Sequence, residues 1–426
     1  MFYLHCPSCK RHWEPAAPWF GCDRCVDPAG YAHWLEVGYD LDGIDPTPFR
    51  QAGRVWSYAA LLPVRRPEEA PTLGEGNTPL LRLRGLNREL GLPNLHLKLE
   101  TVNPTAAFKD RFHTVGIAVA RELGYRRVVA VTAGNHGTSC AAYAAVAGMP
   151  LLIITDPHSS PDQRRLMHLF GARVTAPTGP EGLAGTGDLV DALVREHAFY
   201  PATAQGTYCG PANPYGVEGY KTIGYEIAAQ LGGVPDRICV PTSAGDALIG
   251  PYRAFQELNA LGIVEGYPRM TACQSAGAGF VAEAMRLGMD HLPWLEPHTF
   301  ALSIGDPTGC HAILDVLRST GGDGWARPDS ELLEAMALLG RHGICVEGAS
   351  ASTIAALRHQ VREGQLDPEE QIVAVLTGSG MKWPGQVQSA IGPTPEFLPD
   401  QTAALVAAMA DGSGAHGAGR GGRREA

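Results

Sequence analysis

The feature that most restricts how this chain can fold is a repeated switch between two hydrophobic periods. Apolar runs of strand length, LHLKLE from residue 95, RRVVAVTAG from 126, PLLIITD from 150 and ARVTAP from 172, alternate with segments compatible with amphipathic helices. In a second series RICVPTS, RMTACQS, GICVEG and QIVAVLTG are separated by helical stretches such as VEGYKTIGYEIAAQLG and SASTIAALRHQVREG. Strands joined by helices in this way predict a parallel sheet with helices on both faces. At 426 residues the chain exceeds a usual single core, so two such α/β domains with a cleft between them are expected.

The two ends depart from this pattern. Residues 1–45 are rich in Cys, Trp and Pro, and close with the strand-like LEVGYDLDG before Pro46 and Pro48. Within them Cys6, Cys9, Cys22 and Cys25 form C-x2-C-x12-C-x2-C. Each close pair can turn two thiolates toward one point, which suits a closed tetrahedral site with structural zinc as the expected ion; four free thiols are the alternative. The other six of the ten cysteines lie singly in apolar stretches, a pattern of reduced thiols rather than disulfides. Residues 411–426, DGSGAHGAGRGGRREA, carry no hydrophobic pattern and are expected to be a disordered tail.

Charge and hydropathy exclude some functions. A net charge of -10 argues against a nucleic-acid partner, which would need excess Lys and Arg to displace counterions. The start lacks the basic and apolar regions of a signal segment, and no apolar run is long enough for a membrane span, so the chain reads as cytoplasmic.

Four turns carry candidate chemistry. Asn103-Pro-Thr-Ala-Ala-Phe-Lys109-Asp-Arg follows LHLKLE and places Lys109 at a strand exit, where a cleft lies in an open α/β sheet. Partial desolvation there suits a lysine that forms a Schiff base, although such a lysine alone is more often a solvated surface charge. Thr132-Ala133-Gly134-Asn135-His136-Gly137 follows RRVVAV and opens a helix, whose amides can meet an amino-acid carboxylate; taken alone it is equally an ordinary tight turn. Ser243, Ala244, Gly245, Asp246 and Ala247 repeat the design after RICV and suit a phosphate cradle. Asp246 counts against that cradle unless its carboxylate turns away to cap the helix. Thr377-Gly-Ser379-Gly-Met-Lys382 puts a hydroxyl at the last strand end, able to bond a pyridine nitrogen.

In this order the segments resemble the threonine synthases, within the fold-type II pyridoxal-phosphate enzymes that share the tryptophan synthase β-like fold. The resemblance rests also on Thr-Leu-Gly-Glu-Gly-Asn-Thr-Pro-Leu at 72–80 and on Asn213-Pro-Tyr-Gly-Val-Glu-Gly-Tyr-Lys-Thr222, and it runs from the cysteine knuckle to about residue 390. It implies a large cofactor-binding α/β domain from residues 46–110 and 213–410, and a small α/β domain from 111–212. It implies pyridoxal 5'-phosphate bonded through C4′ to Lys109, with Asn135 at its 3-hydroxyl, residues 243–247 at its phosphate and Thr377 at its ring nitrogen. The substrate amine would then displace Lys109, its carboxylate would dock on Thr132, Ala133, Gly134 and His136, and the freed lysine would move protons.

The sequence departs from the family where the substrate is chosen. Family members place an arginine for the phosphate of O-phosphohomoserine where this chain has Gly216, and a histidine where it has Ser379. Elimination and replacement of the threonine-synthase kind is the leading expectation. The alternatives are β-elimination or β-replacement on a serine or phosphoserine type of substrate, and a non-catalytic paralogue. If O-phosphohomoserine is used, another cation, such as Arg111 or Lys221, would have to supply the missing charge. A small-molecule amino acid is the expected partner, with a homodimer as the assembly to test.

Overall fold

The computed structural model of the chain describes residues 2–15, 21–26, 32–132, 134–157, 159–178, 182–203 and 213–392. Ala133 and the expected tail at 411–426 lie outside them.

The second series of apolar runs builds most of a six-stranded sheet. Its order is β12 (Asp323–Arg327), β11 (Arg269–Ser275), β10 (Arg237–Pro241), β13 (Ile372–Leu376), β5 (Leu95–Leu99) and β4 (Leu80–Leu81). All neighbours run parallel except β4, which is antiparallel to β5. The side-chain period of two explains why the strands read as unbroken apolar runs. Val373 and Val375 of β13 enter one core with Ile238, Val240, Tyr220 and Phe255. Ile372, Ala374 and Leu376 enter another with Leu95, Leu97, Ile354 and Leu357, so both faces are covered.

The first series builds a four-stranded parallel sheet, ordered β8 (Arg173–Thr175), β7 (Leu151–Ile154), β6 (Val128–Val131), β9 (Tyr200–Pro201). Val128 and Ala130 pack with Val115, Cys140 and Tyr143 of the helices Lys109–Glu122 and Asn135–Val146, whereas Val129 and Val131 meet Val190 and Val194.

The N-terminal segment pairs β1 (Phe2–His5) antiparallel with β2 (His12–Trp13) and β3 (Glu36–Tyr39). Leu4 and Val37 join the core of Val115 and Val119, so this small sheet borrows a core from its neighbour. Charged bonds fasten it further: Arg253 donates to the Val37 carbonyl and to Glu218, each at 2.5 Å, and the Tyr39 hydroxyl donates to Glu218 at 2.7 Å.

One expected strand is absent. Within GICVEG only Val346 pairs, in an isolated bridge to Ser379, because the chain must turn at Glu347 into the helix Gly348–Arg362. The strand that pairs beside β11 is instead DGWAR, β12, whose half-buried residues show no alternation for sequence patterning to detect.

Candidate active site

Parallel strands deliver their following turns to one edge of a sheet, and four such turns meet here. The segment leading to Lys109 is pinned to the turn after β13. The Phe108 amide donates to the Thr377 carbonyl at 2.9 Å, the Ser379 amide to the Ala106 carbonyl at 3.0 Å, and Lys382 Nζ to the Thr105 carbonyl at 2.6 Å. Asn103 Oδ1 accepts from the Gly76 amide at 3.0 Å, which ties in the 72–80 segment. Lys109 then starts the helix Lys109–Glu122.

Its amine lies 4.3 Å from the centre of the Phe108 ring and 5.4 Å from that of Tyr220. Burial lowers its pKa, which favours a nucleophilic amine, while Asp246, Asp306 and Glu347 pull in the opposite direction. Asp246 Oδ2 is 3.6 Å from the amine. Burial alone would raise the Asp246 carboxyl, but Lys109 and His136 outweigh it and hold the group well below the usual carboxylate range.

The loop 243–247 is compact because its glycine is needed. Gly245 has φ +109, and a Cβ there would sit 2.5 Å from Ile313 Cγ1. A Cβ on Gly309 would sit 2.8 Å from the Ser243 carbonyl oxygen. Small residues thus let the loop lie close to its support, with the helix Asp246–Ala260 beginning behind it. Ser243 Oγ donates to Asp306 Oδ2 at 2.6 Å. The Asp246 carboxylate turns toward Lys109 and His136.

From the four-stranded sheet comes the turn after β6. The Thr132 hydroxyl accepts from the amides of Gly134 and Gly137 at 3.3 and 3.2 Å, fixing the start of the helix Asn135–Val146. Gly134 leaves room for Trp383, whose Cζ2 would be 3.3 Å from a Cβ at that position. Asn135 Nδ2 donates to both Glu347 oxygens, at 3.0 and 2.8 Å. His136 Nε2 lies 3.9 Å from Asp246 Oδ2. Thr377 is buried with its hydroxyl 3.2 Å from Ser350 Oγ. Lys109, Asn135, His136, Asp246 and the loop 243–247 therefore converge, with Thr377 at the base of the Lys109 segment and Thr132 serving the helix start.

Sequence reasoning missed Glu347, Asp306, Ser350 and Ser303, whose hydroxyl donates to Glu347 at 3.3 Å. Glu347 was concealed in a run read as strand, and Asp306 in a segment without periodicity; an irregular stretch of that length is itself a signal of function.

The geometry also bears on the substrate. A Cβ on Gly216 would lie 2.4 Å from Phe112 Cζ, so the Phe112 ring fills the space beside residue 216. Arg111 is committed to Glu100 at 2.7 Å and to Glu226 at 2.5 Å. Lys221 is committed to Glu218 at 2.6 Å and to Glu257 at 2.7 Å. Neither cation is available to replace the arginine absent at 216.

In the N-terminal sheet the sulfurs of Cys6, Cys9, Cys22 and Cys25 all lie within 4.8 Å of one another, a grouping that fits a metal ion. The Arg11 amide draws Cys9 down to about 7, and burial pushes Cys6 up to about 12. No helix among the described residues is long and apolar enough to cross a membrane.

Comparison with known proteins agrees with this geometry. Residues 71–378 match the family described as pyridoxal-phosphate dependent enzyme. A threonine synthase of Methanocaldococcus jannaschii is 37% identical over 362 residues, covering 82% of this chain and 87% of that one. A threonine synthase of Methanosarcina acetivorans is 34% identical over 400 residues, covering 91% and 94%. The solved structure of an L-serine ammonia-lyase from Rhizomucor miehei superposes with a TM-score of 0.61 at 20% identity, covering 74% of this chain and 96% of that one, which supports the fold. The chain belongs to the pyridoxal-phosphate-dependent enzymes, as a lyase with the α/β fold of type II, and stands among them with the threonine synthases.

Proposed function

We propose that this enzyme carries out elimination, with or without replacement, at the side chain of a small amino acid, and that Lys109 is both the attachment point of the cofactor and the group that moves the α-proton. The observation that carries this reading is the Lys109 amine, partly buried at the meeting point of turns from both sheets, with its pKa lowered by desolvation. The residues fit the cofactor: the 243–247 loop, where a Cβ at 245 would collide with Ile313, suits the phosphate, Thr377 the ring nitrogen and Asn135 the ring hydroxyl. For that, Asn135 would share an N–H now given to Glu347. When bound, the cofactor supplies the electron sink that stabilises negative charge at the substrate Cα.

The chain's own residues do the rest. The amides of residues 135 and 136, at a helix N-terminus whose turn is fixed by the Thr132 hydroxyl, hold the substrate carboxylate. The Lys109 amine, once freed, removes and returns the α-proton. The four cysteines hold a structural zinc, supported by their clustering; metal analysis should find about one zinc per chain. The domain division we infer is 46–110 with 213–410 around the six-stranded sheet and 111–212 around the four-stranded one, since the strands fall in those ranges. A cytoplasmic location and a homodimer complete the reading.

Substrate choice admits two readings. Identity to the threonine synthases supports formation of threonine from O-phosphohomoserine. The Phe112 ring on Gly216, with Arg111 and Lys221 locked in ion pairs, favours a substrate without that phosphate, such as serine or threonine. For the same reason Gly216→Arg should not restore phosphate binding unless Phe112 is also made small. The deciding experiment measures kcat/KM for O-phosphohomoserine, O-phosphoserine, L-serine and L-threonine with products identified. Loss of one charge-assisted phosphate contact predicts roughly 30- to 1000-fold weaker use of O-phosphohomoserine than an intact site would give. Efficient threonine formation would remove the second reading, and no turnover of any of the four would remove both.

A further inference from the structure

His113, one turn into the helix that Lys109 opens, has no role in the steps above, yet it is wholly buried beside the cleft. Its Nε2 lies 3.0 Å from Nδ1 of His136, with the two rings at 87°. On its other side His136 Nε2 is 3.9 Å from Asp246 Oδ2, and that oxygen is 3.6 Å from Lys109 Nζ. Phe112, seated on Gly216, meets both imidazoles edge to face, with centroids 4.9 and 5.0 Å away. The rings are thus held in place, and a chain of polar groups runs from the core to the reactive amine.

The direction of the protons along it follows from one orphan. His113 Nδ1 is buried without a hydrogen-bond partner. A buried N–H without an acceptor is rarer than a buried lone pair without a donor, which assigns the His113 proton to Nε2, where it faces Nδ1 of His136 and the His136 backbone. The His136 proton is then on Nε2, facing Asp246. Burial keeps both rings neutral, pushing His136 down to about 4 and His113 well below its usual value. Asp306 and Glu347 also face Lys109, but Asp306 is bonded by Ser243 and Glu347 by Asn135. Asp246 Oδ2 makes no short hydrogen bond, and the donors it faces are Lys109 at 3.6 Å and His136 at 3.9 Å.

We propose that Asp246 is a further catalytic group, an anion that stabilises the ammonium formed on Lys109 when its freed amine takes the substrate α-proton, and that His136 and His113 are positioning residues that aim it. In this step the Cα–H bond breaks, its electron pair stays on Cα, and a new N–H bond forms on Nζ. Positive charge appears within reach of the carboxylate, and the reverse transfer returns the proton. The proposal rests on the reading of Lys109 given under Proposed function.

The test is exchange of the α-proton of L-alanine with solvent deuterium, followed by proton NMR on the cofactor-loaded enzyme, because alanine has no leaving group. Asp246→Asn should slow exchange on the order of 100-fold, since an opposite charge at this distance shifts an acidity by roughly one to three powers of ten. His113→Phe should slow it by about 10-fold, and His113→Gln, whose amide N–H can replace the donor, should stay within about threefold of the wild type. Imidazole nitrogen shifts should show His136 protonated at Nε2 between about pH 6 and 8 in the wild type, and no longer fixed in His113→Phe. Wild-type exchange by Asp246→Asn with a full visible cofactor band overturns the proposal, as does a His136 proton on Nδ1. Should Asp246→Asn not retain the cofactor, equal exchange by His113→Phe and His113→Gln overturns it, and the predicted order supports it. Failure of the Lys109 reading is distinguishable, because borohydride would then label a different lysine.

Discussion

Lys109 and Arg111 are two residues apart on one helix, and their surroundings are opposite in kind. Arg111 is fully buried, and its guanidinium is met by Glu100 and Glu226 and by the hydroxyls of Thr78 and Thr222. Glu226 in turn binds Lys98 at 2.6 Å, so charges of both signs are matched within one closed cluster. Lys109 faces three carboxylates at longer range, touches aromatic rings, and keeps one loose ion pair of 3.6 Å. A saturated cluster has nothing left to offer a ligand, and its members are costly to remove. An unsaturated one retains reactivity, which is how perturbed groups mark functional sites.

The sharpest way to break this contrast is to exchange the two effects. Lys109→Ala should abolish the visible cofactor band and lower turnover by about 10⁴-fold or more, while changing the urea unfolding midpoint little. Borohydride reduction and peptide mapping of the wild type should place the label on Lys109. Arg111→Met should do the reverse, costing about 3–5 kcal/mol of stability because Glu100 loses its buried cation and Glu226 keeps only Lys98. An Arg111 variant with normal stability and lost turnover would erase the distinction.

Asp110, between them, sharpens it through pH. Its carboxylate accepts from Thr105 and Ser139, and burial raises its pKa from 3.8 to about 6. The folded state therefore binds this proton more tightly than the unfolded state does. Its contribution to stability is complete below the unfolded pKa, declines as pH rises to about 6, and is constant above. Asp110→Asn should gain on the wild type by about 2 kcal/mol between pH 4 and pH 7, read from urea unfolding at each pH; a pH-independent gap would contradict the raised pKa.

The smallest effect on turnover is expected at the knuckle. Cys22→Ser should abolish binding of the proposed zinc and lower stability by about 1–2 kcal/mol or more, yet leave turnover per folded molecule within about twofold. A large loss in kcat at full folding would show that the knuckle reaches the cleft.

How much of this could be read beforehand depended on whether a residue's neighbours were near in sequence. The parallel strands were legible because both faces of β10 and β13 are buried, which leaves unbroken apolar runs. Lys109 was legible through its ordered company of turns, and the four cysteines through spacing. Glu347 was not, because its partner Asn135 is 212 residues away and its own run imitates a strand. The packing of Phe112 on Gly216 was also invisible, since the sequence shows a missing arginine but not the ring that fills its place. Asp246 was expected to oppose a phosphate unless it turned away to cap the helix; the structure gives it no capping bond and points its carboxylate to Lys109 and His136 instead.

The position of β13 has a consequence for the chain during synthesis. Among the described residues it is the last strand in sequence, yet it lies between β10 and β5, and the turn after it holds the Lys109 segment through Phe108, Ala106 and Thr105. Until residues 372–376 leave the ribosome, β10 and β5 each present an unpaired edge and the lysine turn has no clasp. Between the synthesis of β10 and that of β13 the nascent protein must carry two adhesive edges, the stage at which a holding chaperone matters most. A chain cut before Ile372 would therefore be an aggregating fragment with no preformed cofactor pocket, rather than a smaller enzyme.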